Sequence, residues 1–268
     1  DWGPLRGPSM SPVAMGHKFL WPEIVASEDI CEFEVWAPAE GVTPNSPITF
    51  SIVRTMPAGP AVALMEAEIV PSPGGLSGMV GVPLITMRRG PGADYLPGAA
   101  RMSDRSAGQL PHLITAKGGH PYGSKSTITI ARKNGENWAN FTPGLSSACY
   151  FAMNGHTLGG QQLRFAADHA DDDVADAYAR GEVRAFDGKE RLVGESLFQQ
   201  RDGNQPILTM RIGAGADPVL IICCLFCVGF LQVSEHGGQP WWLVRQGRGQ
   251  PTASMGLVAN NQAHAVAL

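Results

Sequence analysis

The segment from Asp217 to Leu231 constrains this chain more than any other. Every residue from Val219 to Leu231 is apolar or small, so a helix formed here has no polar face to offer water. Asp217 is a good N-cap, because its short carboxylate accepts hydrogen bonds from the free N–H groups of a first turn. Pro218 suits the first helical position, where its missing N–H costs nothing. Such a helix must be buried on all sides, in a protein core or in lipid. Its run of roughly 14 apolar residues is shorter than the roughly 20 that span a bilayer, so burial within protein is expected.

The material to bury it is β-structure. Short runs of alternating or β-branched residues recur between clusters of Gly, Pro, Asn and Asp: Ile30–Trp36, Ile48–Arg54, Ala61–Ile69, Leu84–Met87, His112–Ala116, Thr127–Arg132, Ala148–Met153 and Gln162–Ala166. Glu182–Phe186, Arg191–Phe198 and Pro206–Ile212 follow. Asn154-Gly155 and Asp187-Gly188 tolerate positive φ and suit tight hairpin turns, the second joining Glu182–Phe186 to Arg191–Phe198. Antiparallel, meander-like pairing is implied. No strand–amphipathic helix alternation suggests a parallel α/β sheet, and no internal repeat stands out.

A succession of antiparallel strands followed by one wholly apolar helix near the C-terminus resembles the tubby, phospholipid scramblase and LURP-one superfamily. The likeness is carried by Glu182–Phe186, the Asp187-Gly188 turn, Arg191–Phe198, Pro206–Ile212 and Gly215-Ala216-Asp217 leading into Val219–Phe230. The resemblance implies a mainly β fold: a closed antiparallel β-barrel enclosing the C-terminal helix at about residues 217–231. Residues 17–233 would form that domain, between an N-terminal arm at 1–16 and a C-terminal arm at 234–268. It also implies a lipid-headgroup site, since tubby-like members bind phosphoinositides through a basic pair on the barrel surface. The nearest candidates are Lys117, Lys125, Arg132 and Lys133. In scramblases an acidic loop before the last strand is the proposed calcium site. The matching Asp202-Gly203-Asn204-Gln205-Pro206 offers one carboxylate where a hard cation wants several oxygen ligands.

Other motifs read as structure. Gly213-Ala214-Gly215-Ala216-Asp217-Pro218 lies between strand and helix like a dinucleotide fingerprint, but it lacks the third glycine and precedes a helix without amphipathicity. The stretch Gly118–Ser126 looks like a phosphate-binding loop, yet Ser124 separates glycine from lysine and a strand follows it. Cys224-Leu225-Phe226-Cys227 has redox spacing without a positive charge to activate a thiol, so Cys223, Cys224 and Cys227 are expected to be buried small hydrophobes. Asp168, Asp171, Asp172, Asp173 and Asp176 lack the spacing and glycine of a calcium loop and read as a solvated acidic loop or helix start, with a cation site as the alternative. The sequon Asn140-Phe141-Thr142 is followed by Pro143 and carries little weight.

Composition narrows the function classes. A formal net charge of -4 argues against general nucleic-acid binding, which needs a basic face to neutralise phosphates. Five cysteines, three of them crowded into the apolar segment, do not form a disulfide framework and favour a reducing intracellular compartment. Asp1 in place of methionine is consistent with a processed or truncated start. No nucleophile elbow, zincin helix or paired acid and base is present, so neither enzymatic activity nor a cofactor is expected. The tail carries Trp241-Trp242-Leu243-Val244, and adjacent tryptophans either anchor a partner or pack back as an extra strand. Two functions follow as expectations. One is a membrane-peripheral module that binds anionic phospholipid headgroups, and the other is an accessory subunit docked into a multi-subunit assembly by its two arms.

Overall fold

The computed structural model describes residues 19–25, 30–38, 46–55, 62–70, 84–95, 112–118, 127–144, 149–153, 162–167, 182–200 and 206–236. The arms at 1–16 and 237–268, the Asp168–Asp176 cluster and the Asp202 loop lie outside them, as do Asn154-Gly155, Lys125, Trp241 and Trp242.

Alternation dictates the strands. In β1 (Cys31–Trp36) Cys31, Phe33 and Val35 are buried while Glu32 faces out, the period of two that a one-sided sheet imposes. The same logic gives β2 (Ile48–Thr55), β3 (Val62–Val70), β4 (Leu84–Arg89), β5 (His112–Gly118), β6 (Ile128–Arg132), β7 (Asn137–Pro143), β8 (Cys149–Met153), β9 (Gln162–Ala167), β10 (Val183–Phe186), β11 (Leu192–Gln200) and β12 (Pro206–Ile212). Each strand pairs antiparallel with its neighbours in sequence, and β12 pairs with β1 from Cys31↔Ile212 to Trp36↔Ile207. The sheet thereby closes into a twelve-stranded up-and-down barrel with no free edge. Among the described residues one α-helix, α1 (Pro218–His236), follows β12. It runs past the expected end at Leu231, so its last turn occupies residues assigned to the C-terminal arm.

In several registers the inward side chains set large against small. In register stand Phe50, Ala67 and Met87; Ile85, Ala116, Ile130 and Ala139; Phe141, Ala152 and Leu163; and Phe165, Ala185, Gly194 and Ile212. Helix α1 joins this set. Its side chains from Val219 to Val228 are all buried and share one core cluster with inward residues of the strands. Phe226 lies 5.2 Å from Phe50 of β2, ring centre to ring centre. A β-carbon added at Gly194 of β11 would meet Ile221 of the helix at 3.4 Å, which places this strand against α1.

Asp217 fixes where the helix begins. One carboxylate oxygen accepts N–H groups of Val219 at 3.1 Å and Leu220 at 3.2 Å, and the other accepts that of Leu20 at 2.8 Å. Leu20 starts a short segment that buries Trp21 and Ile24, with the Arg89 guanidinium 4.7 Å above the Trp21 ring. Burial pushes the Asp217 carboxyl up to about 6, against the pull of these three N–H donors and of Arg132. Two hairpins share one turn geometry. Between β6 and β7, Gly135 takes φ 80°, and between β10 and β11 the same left-handed place is held by Glu190 at φ 57°. Asp187-Gly188 thus opens the tight hairpin turn expected between these two strands. The loop is a three-residue one, its Asp187 carboxylate accepting the N–H groups of Lys189 at 2.9 Å and Arg191 at 3.0 Å.

Two outcomes test this packing. Leu225→Lys places a charge at a side chain 6% exposed, and burying an unpaired ion costs several kcal/mol out of the roughly 5–15 kcal/mol of a typical domain. The variant should lose its cooperative melting transition, and an unchanged melting curve contradicts the packing. For Asp217, a folded-state value raised to about 6 means that the folded chain holds the proton more tightly than the unfolded chain. Stability from this group should rise as pH falls from about 6 toward 4. Asp217→Asn should flatten that dependence in urea titrations at several pH values. Asp217→Ala, which leaves three N–H groups without their acceptor, should cost about 1–3 kcal/mol at neutral pH.

Candidate functional site

The outer wall of the barrel is not uniform. Across β1, β12, β11 and β10 the outward residues Glu32, Arg211, Glu195 and Arg184 stand in register and alternate in sign. Arg211 lies 3.4 Å from Glu32 and 3.2 Å from Glu195, and Arg184 lies 3.9 Å from Glu195. Every cation in this row faces an acid, so the wall has little net charge to offer a ligand.

The wall of β5, β6 and β7 differs. Burial of Ile114, Ala116, Ile128, Ile130, Ala139 and Phe141 turns their neighbours outward. Lys117, Thr129 and Asn140 form one row, and Thr115, Ala131 and Asn137 the next. Asn137 donates its amide N–H to the Asn140 side-chain oxygen at 3.2 Å, and the His112 Nε2 lies 2.6 Å from the Thr115 hydroxyl. Lys117 and Lys133 are exposed. Lys133 sits in the β6–β7 turn, and Lys117 faces Thr129 four residues earlier, so their backbones are about 14 Å apart at roughly 3.4 Å per residue.

Arg88 on β4 is the cross-strand partner of His112 and forms an ion pair of 2.5 Å with Glu68 on β3. Burial, Arg88 and then Lys133 hold the His112 imidazole below its ordinary value, which keeps it neutral near pH 7. The His112 Nδ1, the Asn137 side-chain oxygen and the Trp138 Nε1 are buried without a hydrogen-bond partner among the described residues.

Three of the four basic candidates lie among the described residues. Lys117 and Lys133 occupy the two ends of the β5–β6 hairpin, and Lys125 lies outside the described residues. Arg132 is committed elsewhere. Its register partner is the inward Ile114, its guanidinium sits 3.8 Å over the Trp138 ring, and it reaches Glu136 at 3.8 Å. It also lies near enough to Asp217 to draw that carboxyl down, so it belongs to the helix end of the barrel and not to the outer wall. His112, Thr115, Asn137 and Asn140 were not among the sequence candidates. The Asn134-Gly135 dipeptide was the available signal, since it marks a hairpin that brings β7 beside β6.

All five cysteines are free thiols, and burial raises Cys224 and Cys227 well above the usual thiol range, which makes them poor nucleophiles. Among the described residues no group of three His, Cys, Asp or Glu side chains is placed to hold a metal ion, and no helix is long and apolar enough to cross a membrane. Comparison with protein-family models, with curated proteins and with solved structures finds no match to this chain.

Proposed function

We propose that the barrel encloses α1 and that the chain is a non-catalytic, membrane-peripheral module of the tubby and scramblase type, which docks on anionic phospholipid headgroups through the β5–β7 wall. Enclosure follows from size. About eight strands make a barrel whose own side chains fill it, and twelve leave space of the order of a helix, roughly 10–12 Å across. A lumen filled in this way leaves the outer wall and the loops as the surfaces on which a ligand binds.

The observation that carries the reading is the contrast between the two walls. On β1, β12, β11 and β10 each arginine is answered by glutamate, whereas Lys117 and Lys133 stand exposed beside the neutral hydroxyls and amides of Thr129, Thr115, Asn137 and Asn140. Lysines whose backbones are about 14 Å apart, with hydroxyls and amides between them, suit a plane of separate phosphates better than one small anion. Each lysine near an anionic leaflet contributes about 1 kcal/mol.

Sedimentation with vesicles of phosphatidylglycerol in phosphatidylcholine tests this. Lys117→Gln with Lys133→Gln should weaken binding about thirtyfold, the equivalent of roughly 2 kcal/mol, and raising the salt should do the same by screening. Binding unchanged by both treatments contradicts the proposal.

A further inference from the structure

We propose that His112 is a further recognition residue of this wall, one whose imidazolium completes a row of cations with Arg88 and Lys133 and makes docking on a phosphodiester surface stronger in acid. The inference rests on the reading of the β5–β7 wall as the headgroup-docking face. It adds the residue that regulates that face.

The geometry comes first. His112 opens β5 opposite Arg88 of β4, and the next strand, β6, runs out beside it into the turn that carries Lys133. The imidazole is held by the Thr115 hydroxyl at 2.6 Å, so the ring has a fixed place in the wall. Its Nδ1 has no partner among the described residues, and neither does the side-chain oxygen of Asn137. Thr115 and Asn137 belong to the same row, one on each side of Ala131. With Nε2 against the Thr115 hydroxyl and Nδ1 buried, the ring would act on a docked phosphodiester by its charge and not by direct contact.

The charges around the ring decide its sign. Arg88 faces it from β4 and is paired with Glu68 of β3; Lys133 faces it from the β6–β7 turn. Beyond Lys133, Arg132 and Glu136 pair with each other at 3.8 Å. Burial and the two facing cations hold the ring below its ordinary value while the wall is free. A phosphodiester docked against the wall supplies the missing negative charge and raises the proton affinity of the ring. Linkage makes the effect reciprocal, so a proton on His112 strengthens docking by the same factor that docking strengthens the proton. Affinity should climb as acid protonates the ring of the docked protein and level off once the free ring is protonated as well.

Phosphatidylglycerol vesicles are the suitable probe, because their phosphodiester keeps its charge across this range. The whole chain, whose sequence pI is about 6.0, also loses net negative charge on acidification, so the histidine must be isolated by substitution. Wild-type binding should be about fivefold or more tighter at pH 5.5 than at pH 7.5, and His112→Gln should remove most of that difference while leaving the pH 7.5 value unchanged. An equal acid enhancement in His112→Gln overturns the inference and leaves the docking face intact. Absence of binding by the wild type at both pH values overturns the docking face itself. Should the variant fail to fold, the proton resonances of the wild-type imidazole serve instead. Short-chain phosphatidylglycerol should move the His112 titration midpoint upward, and an unmoved midpoint in protein that binds the lipid overturns the inference.

Discussion

A helix without a polar face has to be buried on every side, and the proposed enclosure of α1 by the barrel meets that requirement. A flat sheet covers one side of a helix; a closed one covers all of them. Closure also gives each strand two partners, which removes the exposed edges that would otherwise pair with other chains. In several registers of the inner wall Phe, Ile, Met and Leu stand opposite Ala or Gly, which suits the proposed enclosure of α1. Asp217 sits at the junction, tying the first turn of α1 to Leu20 and so to the segment that buries Trp21 and Ile24. It does so at the cost of a charge held in a buried place.

That dependence explains how much of the fold is legible in the sequence. Every strand except β7 corresponds to an alternating or β-branched run whose ends differ from the observed ones by no more than two residues. Strand β7 has only Ala139 and Phe141 as buried positions, with Asn137, Asn140 and a terminal Pro143, so its alternation is weak and its composition suggests a loop. Its place is fixed by pairing with β6 and β8 and by the Gly135 turn, which are tertiary facts. The Asp187-Gly188 hairpin is legible as a hairpin but not as a turn type, because Glu190 takes the left-handed conformation usually left to glycine. The Glu190 N–H donates to the Asp187 main-chain oxygen at 2.9 Å, the Asp187 carboxylate holds the N–H groups of Lys189 and Arg191 on either side, and the Glu190 side chain pairs with Arg164.

The candidate site was much less legible, for a related reason. A basic residue near a strand end can turn to the wall or to the mouth of a barrel, and one residue of register separates the two. Lys117 falls on the outward parity of β5, while Arg132 falls opposite Ile114 and stacks on Trp138. The residues that give the wall its character, Thr115, Asn137, Asn140 and His112, are ordinary in sequence and meet only because three strands lie side by side. Pairing across strands also separates a wall of matched charges from a wall with lysines to spare, a distinction that composition does not record.

The central claim is that α1 and the barrel are one cooperative core and not a barrel with a helix laid against it. Native-state hydrogen exchange at increasing denaturant measures this amide by amide. The amides of Ile222 to Val228 should exchange only through global unfolding, with the same free energy and the same denaturant dependence as the central amides of β2, β7 and β11. Exchange of the helix through a separate opening, at clearly lower free energy while the strands stay protected, would contradict it.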